Sequence, residues 1–115
     1  MDLNFRIDRR ESFLFASDGQ FLGKLCIIDF DLEIFRNGFG QYGSQYSSIS
    51  IYNAYSVYGS PYSALSPNNP YTSTPPKVYL RGQYWGLLTV NGFLYGPRIS
   101  PADLQGWMLS NGLYY

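Results

Sequence analysis

The sequence predicts a small, mainly β domain of the α+β kind, in which β-hairpins bracket a turn-rich wrap and one short helix closes the C-terminus. Three observations lead there. The first is a 16-residue repeat: Tyr42-Gly43-Ser44-Gln45-Tyr46-Ser47 aligns with Tyr58-Gly59-Ser60-Pro61-Tyr62-Ser63. The match runs on through Ser50 and Ser66, Asn53 and Asn69, and Tyr55 and Tyr71, and a worn copy pairs Phe30, Asp31, Asn37 and Phe39 with Tyr46, Ser47, Asn53 and Tyr55. The second is a longer-range duplication, Gly19-Gln20-Phe21-Leu22-Gly23-Lys24-Leu25 against Gly82-Gln83-Tyr84-Trp85-Gly86-Leu87-Leu88. The third is a single stretch with the marks of a helix, beginning at Ser100-Pro101.

All 115 residues read as one domain in three stretches: N-terminal strands and hairpin (1–35), Tyr/Ser/Asn turn repeats (36–74), and a second hairpin with the helix (75–115). In residues 1–12, Leu3, Phe5 and Ile7 alternate and fit one face of a strand. Asp18-Gly19 lies between two apolar segments. It predicts a hairpin over about 12–17 and 20–28 with a type I′ turn, whose two central residues both take positive φ. From 28 to 34 apolar and acidic residues alternate strictly. Ile28, Phe30, Leu32 and Ile34 are set to face a core, and Asp29, Asp31 and Glu33 to face water. Those three carboxylates could converge on a hard cation; a solvated face that protects a sheet edge accounts for them without one.

The repeat zone has neither helical period nor sustained alternation. Its Gly, Asn and Ser favour successive tight turns in which side chains bond nearby backbone. Asn53 and Asn69 are expected in equivalent turns, bonding backbone rather than ligand. Aromatic residues at fixed spacing argue for order, since disordered tracts are poor in them. After Pro75-Pro76 the second Gly-x-aromatic-x-Gly strand is expected in the same sheet as the first, and Val90-Asn91-Gly92-Phe93 is a further turn candidate. In the helix, placed at 101–109, Ser100 is the cap, Pro101 takes the first position and Asp103 complements the dipole. Leu104, Trp107 and Met108 share its docking face, and Asn111-Gly112 ends it.

These pieces together resemble a group of small, uncharacterised bacterial proteins frequent in cyanobacteria. The resemblance is carried by Gly19 to Leu25, Gly40 to Tyr71, Pro75 to Leu88 and Pro97 to Ile99, and covers most of residues 13–109. It implies no activity. The chain departs from that group's pattern at Gly38 and Ala54, where proline is commoner between asparagine and the aromatic residue.

Composition excludes several functions. Charged residues make up 14 % of the chain and the net charge is zero, so no field draws phosphate, and neither nucleic acid nor an anionic membrane is an expected partner. There is no histidine, which removes imidazole bases and most metal sites. The lone cysteine, Cys26, reads as a buried structural thiol. No apolar run is long enough to span a membrane, and the N-terminus has no secretory pattern, which makes the cytoplasm the default expectation. No catalytic set and no cofactor are expected. Tyr, Ser, Gly and Asn are the residues of adaptable binding surfaces. The function expected is therefore a non-enzymatic structural or interaction module that binds a protein partner or itself, as a homo-oligomer, through Tyr42, Tyr46, Tyr58 and Tyr62. The alternative is glycan binding on a platform of Tyr84 and Trp85.

Overall fold

A computed structural model describes residues 2–26, 33–35 and 38–113. Helix α1 spans Asp2–Asp8, followed by strands β1 (Phe13–Phe15), β2 (Phe21–Lys24), β3 (Lys77–Leu80), β4 (Gln83–Leu88) and β5 (Arg98–Ile99). A 3₁₀ turn at Pro101–Asp103 leads into helix α2 (Leu104–Ser110). The five strands make one sheet in the order β2-β1-β3-β4-β5, antiparallel except for the last pair. The mainly β, small α+β class is thus the observed one, with the C-terminal helix in place.

Strand β1 organises the core because side chains alternate across a strand. Phe13 and Phe15 join Phe21, Tyr42 and Tyr79 on one face, where Leu3 and Ile7 of α1 cover them. On the other face Leu14 meets Leu22, Val78 and Leu88, together with Leu104 and Met108 of α2 and Ile51 and Tyr58 of the repeat zone. The repeat zone therefore packs on the sheet as a structural layer.

The two Gly-x-aromatic-x-Gly segments lie in one sheet and play the same part in it. Lys24 of β2 makes a parallel bridge to Ile34, and Leu87 of β4 pairs in parallel with Arg98 of β5. The preceding glycine is needed in both. A Cβ on Gly23 would overlap the Phe35 backbone, and one on Gly86 would overlap the Pro97 carbonyl oxygen. The duplication thus preserves a site at which a further chain segment crosses close to a strand.

Two local expectations are corrected. Residues 2–8 form a helix, not a strand. Leu3 and Ile7 are four apart and share a helical face that docks on the sheet, while Phe5 is left half-exposed beneath the Arg9 guanidinium, 5.2 Å from its ring centroid. The helix ends in a Schellman motif: Arg10 N–H donates to Ile7 O (3.0 Å) and Glu11 N–H to Arg6 O (3.1 Å), with Arg10 at φ +56°. The turn of the first hairpin also differs from the expected type I′. There Gly19 has φ +96° but Asp18 does not have positive φ, and the loop is three residues long, closed by Ala16 N–H to Gln20 O at 2.8 Å. The two-residue turn with both φ positive is Arg81-Gly82, at +49° and +81°. The alternation at 28–34 falls mostly outside the described residues; Ile34, at its end, is buried.

Helix α2 matches its sequence signals. Ser100 Oγ accepts from Asp103 N–H at 3.3 Å, Leu104 and Met108 are buried, and Gly112 at φ +70° closes a second Schellman motif. Trp107 packs edge-on against Trp85, ring centroids 5.0 Å apart.

Charge collects at the α1 end. Arg6 lies over the Phe21 ring, 3.5 Å from its centroid, and bonds Glu11 (2.7 Å) and Glu33 (3.3 Å). Burial disfavours its charge, but the two carboxylates outweigh that and hold the guanidinium pKa above its ordinary value. Glu33 also pairs with Lys24 at 3.4 Å.

Tyr58 ties the repeat zone to the first hairpin: its hydroxyl donates to Asp18 Oδ2 at 2.6 Å. Burial first, then this bond and the carboxylate's charge, push its pKa up to about 12 from an ordinary value of 10. The folded chain holds this proton more tightly than the unfolded chain. The stabilisation is complete below pH 10 and drains away as pH rises towards about 12. Base titration of stability should therefore fall across that window, and the Tyr58→Phe variant should fall less steeply. An unchanged slope would show that the tyrosine does not carry the linkage.

Candidate functional site

Between Gly40 and Thr74 the chain is a coil of β-turns, and its unit is three residues. Ser44, Ser47, Ser50, Asn53 and Ser56 open five successive triplets; Gly59 intervenes; Ser60, Ser63, Ser66, Asn69 and Thr72 open five more. Five triplets and one glycine make the 16-residue period. Along the first run each opening carbonyl accepts from the N–H three residues on, from Ser47 N–H to Ser44 O at 3.2 Å through to Gly59 N–H to Ser56 O at 3.2 Å. The opening side chain adds a second bond, accepting from the N–H two residues on. Tyr46, Ile49, Tyr52 and Tyr55 donate to Ser44, Ser47, Ser50 and Asn53 at 3.0–3.3 Å, and the second run repeats this at Tyr62, Leu65, Asn68 and Tyr71.

Most of these triplets satisfy their first and third N–H groups within the coil. The middle N–H has no assigned acceptor in this scheme, and Pro61, Pro67 and Pro70 all stand at middle positions, where proline also presets the turn φ. This is why Ser, Asn and Thr, with short side-chain acceptors, recur every third residue.

Asparagine stiffens the coil further. Asn53 Nδ2 donates to Ser47 O (3.0 Å) and Asn69 Nδ2 to Ser63 O (3.1 Å), two triplets back in both cases. Asn68 Nδ2 reaches Gly59 O (3.0 Å) and Ile51 O (3.3 Å), clamping one coil to the next. Both equivalent asparagines thus bond backbone with both ends of the amide. Asn53→Ala and Asn69→Ala should each cost about 1–2 kcal/mol in denaturant unfolding. Full stability of both variants would remove the asparagines from the scaffold.

A fourth asparagine motif lies between β4 and β5. Asn91 accepts from Phe93 N–H (3.0 Å) and donates to Thr72 O (2.9 Å), while Val90 N–H donates to Pro67 O (2.9 Å). The expected turn at Val90–Phe93 therefore caps the last coil.

The third residue of the Asn-x-aromatic triplets points outward. Phe39, Tyr55, Tyr71 and Phe93 are 97, 98, 87 and 89 % exposed. Tyr46 and Tyr62, one period apart, are 83 and 90 % exposed. The rings of Tyr46, Tyr55, Tyr62, Tyr71 and Phe93 touch no other ring among the described residues. The expected interface set of Tyr42, Tyr46, Tyr58 and Tyr62 is thus divided by the fold. Tyr46 and Tyr62 are on the surface. Tyr42 and Tyr58, also one period apart, are 9 and 8 % exposed and anchor the coil to the two faces of the sheet. Phe39, Tyr55, Tyr71 and Phe93 are surface rings that sequence reasoning left out; their place two residues after an asparagine was the available signal.

Tyr84 and Trp85 do not make a joint platform. They are neighbours on a strand and face opposite ways: Tyr84 is half-exposed against Tyr79, centroids 5.9 Å apart, and Trp85 lies under Trp107. Of the three carboxylates weighed for a cation, Asp29 and Asp31 lie outside the described residues, and Glu33 is held by Arg6 and Lys24. No group of three His, Cys, Asp or Glu side chains suited to a metal occurs among the described residues. No described helix is long and apolar enough to cross a membrane.

A cleft of about 850 Å³ opens where α1, β2, the β3–β4 turn and α2 end, with Arg9, Arg10, Lys24 and Arg81 along it and Leu25, Cys26, Leu80 and Leu113 among its apolar lining. Glu11, the one lining carboxylate among the described residues, is engaged by Arg6 and Arg9. Cys26 is buried and has no imidazole to activate it.

What the fold and surface define is a small α+β domain carrying a polar coil of turns with outward aromatic rings. No protein-family model matches the chain, and no curated protein or solved structure is detectably similar to it.

Proposed function

We propose that the protein is a non-enzymatic interaction module that binds a protein partner or another copy of itself through the aromatic surface of its coil. The observation that carries this reading is the near-complete exposure of Phe39, Tyr55, Tyr71 and Phe93, on triplets whose backbone is fixed at Tyr55, Tyr71 and Phe93 by the preceding asparagine. A large ring held out in water on a rigid support costs little further entropy to bury, and clustered rings of this kind mark binding surfaces. The working set is accordingly Phe39, Tyr55, Tyr71 and Phe93, with Tyr46 and Tyr62 also exposed and Tyr42 and Tyr58 acting through the fold.

No charged residue lies between Arg36 and Lys77. Binding through this zone should therefore depend little on salt. The test is retention of host proteins, or of the chain itself, on the immobilised protein. The Tyr55→Ser/Tyr71→Ser variant should keep its circular dichroism and lose most of the retained material at low and high salt alike. Equal retention by the folded variant, or retention abolished by salt, would overturn the reading.

A further inference from the structure

We infer that the aromatic row takes a second copy of this chain, laid against it about a twofold axis so that rings of one copy enter the spaces between rings of the other. The inference rests on the coil face being the binding surface and commits that surface to one occupant.

The row consists of Phe39, Tyr55 and Tyr71, one period apart, with Phe93 carried on the cap of the last coil. Tyr55, Tyr71 and Phe93 touch no other ring among the described residues and are 87–98 % exposed, so open space surrounds each of them. Separated rings with open space around them are complemented by a second set running the opposite way, which is what an isologous contact requires.

The floor between the rings fits the same occupant. The middle residue of each Asn-x-aromatic triplet is small and exposed: Gly38, Ala54, Pro70 and Gly92. Proline suits the turn. The two glycines have no such reason, since neither has positive φ and a Cβ at either would meet nothing within 4 Å. Nothing among the described residues requires glycine there, and small residues at all four positions leave room for an incoming ring.

Charge points the same way. Surfaces that stay monomeric are guarded by charge, and this zone has none from residue 37 to residue 76. Nothing on the coil repels a copy of itself. In size, four aromatic side chains of roughly 150–250 Å² each supply on the order of one side of a standard interface, about 800 Å².

The experiment is sedimentation velocity over a range of protein concentration, at low and high salt, on the native chain and two variants. The native chain should reach twice the monomer mass and hold it at high salt. Tyr55→Ser/Tyr71→Ser should weaken the dimer by at least about tenfold. Ala54→Arg/Gly92→Arg leaves the rings in place but fills the floor with bulk and like charge; it should be monomeric with an unchanged circular dichroism spectrum. A native chain that stays monomeric throughout, or a dimer indifferent to both folded variants, overturns the inference. A monomer that still retains a different protein in a Tyr55- and Tyr71-dependent way overturns the inference and leaves the interaction reading standing. A monomer that retains nothing removes both. Ring-dependent binding of a neutral oligosaccharide by such a monomer assigns the row to glycan and overturns both.

Discussion

Gly59→Ala should unfold the protein or cost at least about 3 kcal/mol, far more than glycine-to-alanine replacement at an ordinary site. Gly59 is the sixteenth residue of the period, the one between two runs of triplets. A Cβ there would overlap the Asn53 carbonyl oxygen and stand 2.8 Å from the Ile51 carbonyl oxygen. Both neighbours are backbone, and both belong to the coil: Asn53 O accepts from Ser56 N–H at 3.0 Å and Ile51 O from Asn68 Nδ2 at 3.3 Å. Neither can withdraw without breaking its bond. Gly106→Ala is the control of opposite sign. It lies inside α2 with nothing within 4 Å of its Cβ, so alanine there should add about 0.5–1 kcal/mol from helix propensity. Thermal and denaturant unfolding of the pair measures both, and a Gly59→Ala variant as stable as the native chain would show that the coil yields at its glycine.

Phe13→Ala is the second large effect, expected at about 3–5 kcal/mol. Phe13 is fully buried on β1, an interior strand, and stacks on Tyr79 with centroids 4.8 Å apart. It also meets Phe15 at 6.2 Å and Phe21 at 6.1 Å. The cavity left by alanine would be walled by rings that are already held elsewhere: Phe21 by Arg6 and Tyr42, and Tyr79 by its strand. Collapse is therefore restricted. Phe13→Leu should cost less than half as much, because most of the volume stays. Similar losses for the two variants would argue that ring stacking, not filling, dominates the cluster.

The sequence carried β1 to β4 and the C-terminal helix because their signals are local. Asp-Gly, the Gly-x-aromatic-x-Gly pair and Ser100-Pro101 each state a backbone geometry within a few residues. It did not carry α1, since Leu3, Phe5 and Ile7 satisfy a strand's alternation while Leu3 and Ile7 also satisfy a helix; docking on Phe13 and Tyr79 decided between them. The true turn at Asp18-Gly19 was hidden because Asp-Gly is a strong type I′ sequence, yet the register of β1 on β2 shifts between Leu14 and Phe15 and takes a three-residue loop instead.

At the candidate site the 16-residue period was visible and the triplet inside it was not. Serine, asparagine and threonine every third residue, from 44 to 56 and again from 60 to 72, state the unit once the acceptor side chain is seen as part of the turn. The split among the tyrosines was beyond sequence reasoning for a different reason. Tyr42 and Tyr58 resemble Tyr46 and Tyr62 in residue type and period, and only the direction from which the sheet approaches the coil buries one pair and bares the other.

Gly59 also governs how such a chain can change its length. Inserting three residues adds a triplet but turns every later one out of step, so Tyr58 or its counterpart loses the sheet and a core serine meets water. Inserting sixteen restores the phase and adds one complete coil with one more outward ring. Growth of the array is therefore quantised: duplication by whole coils lengthens the aromatic row as a ruler gains a division, while smaller insertions are left to the loops outside it.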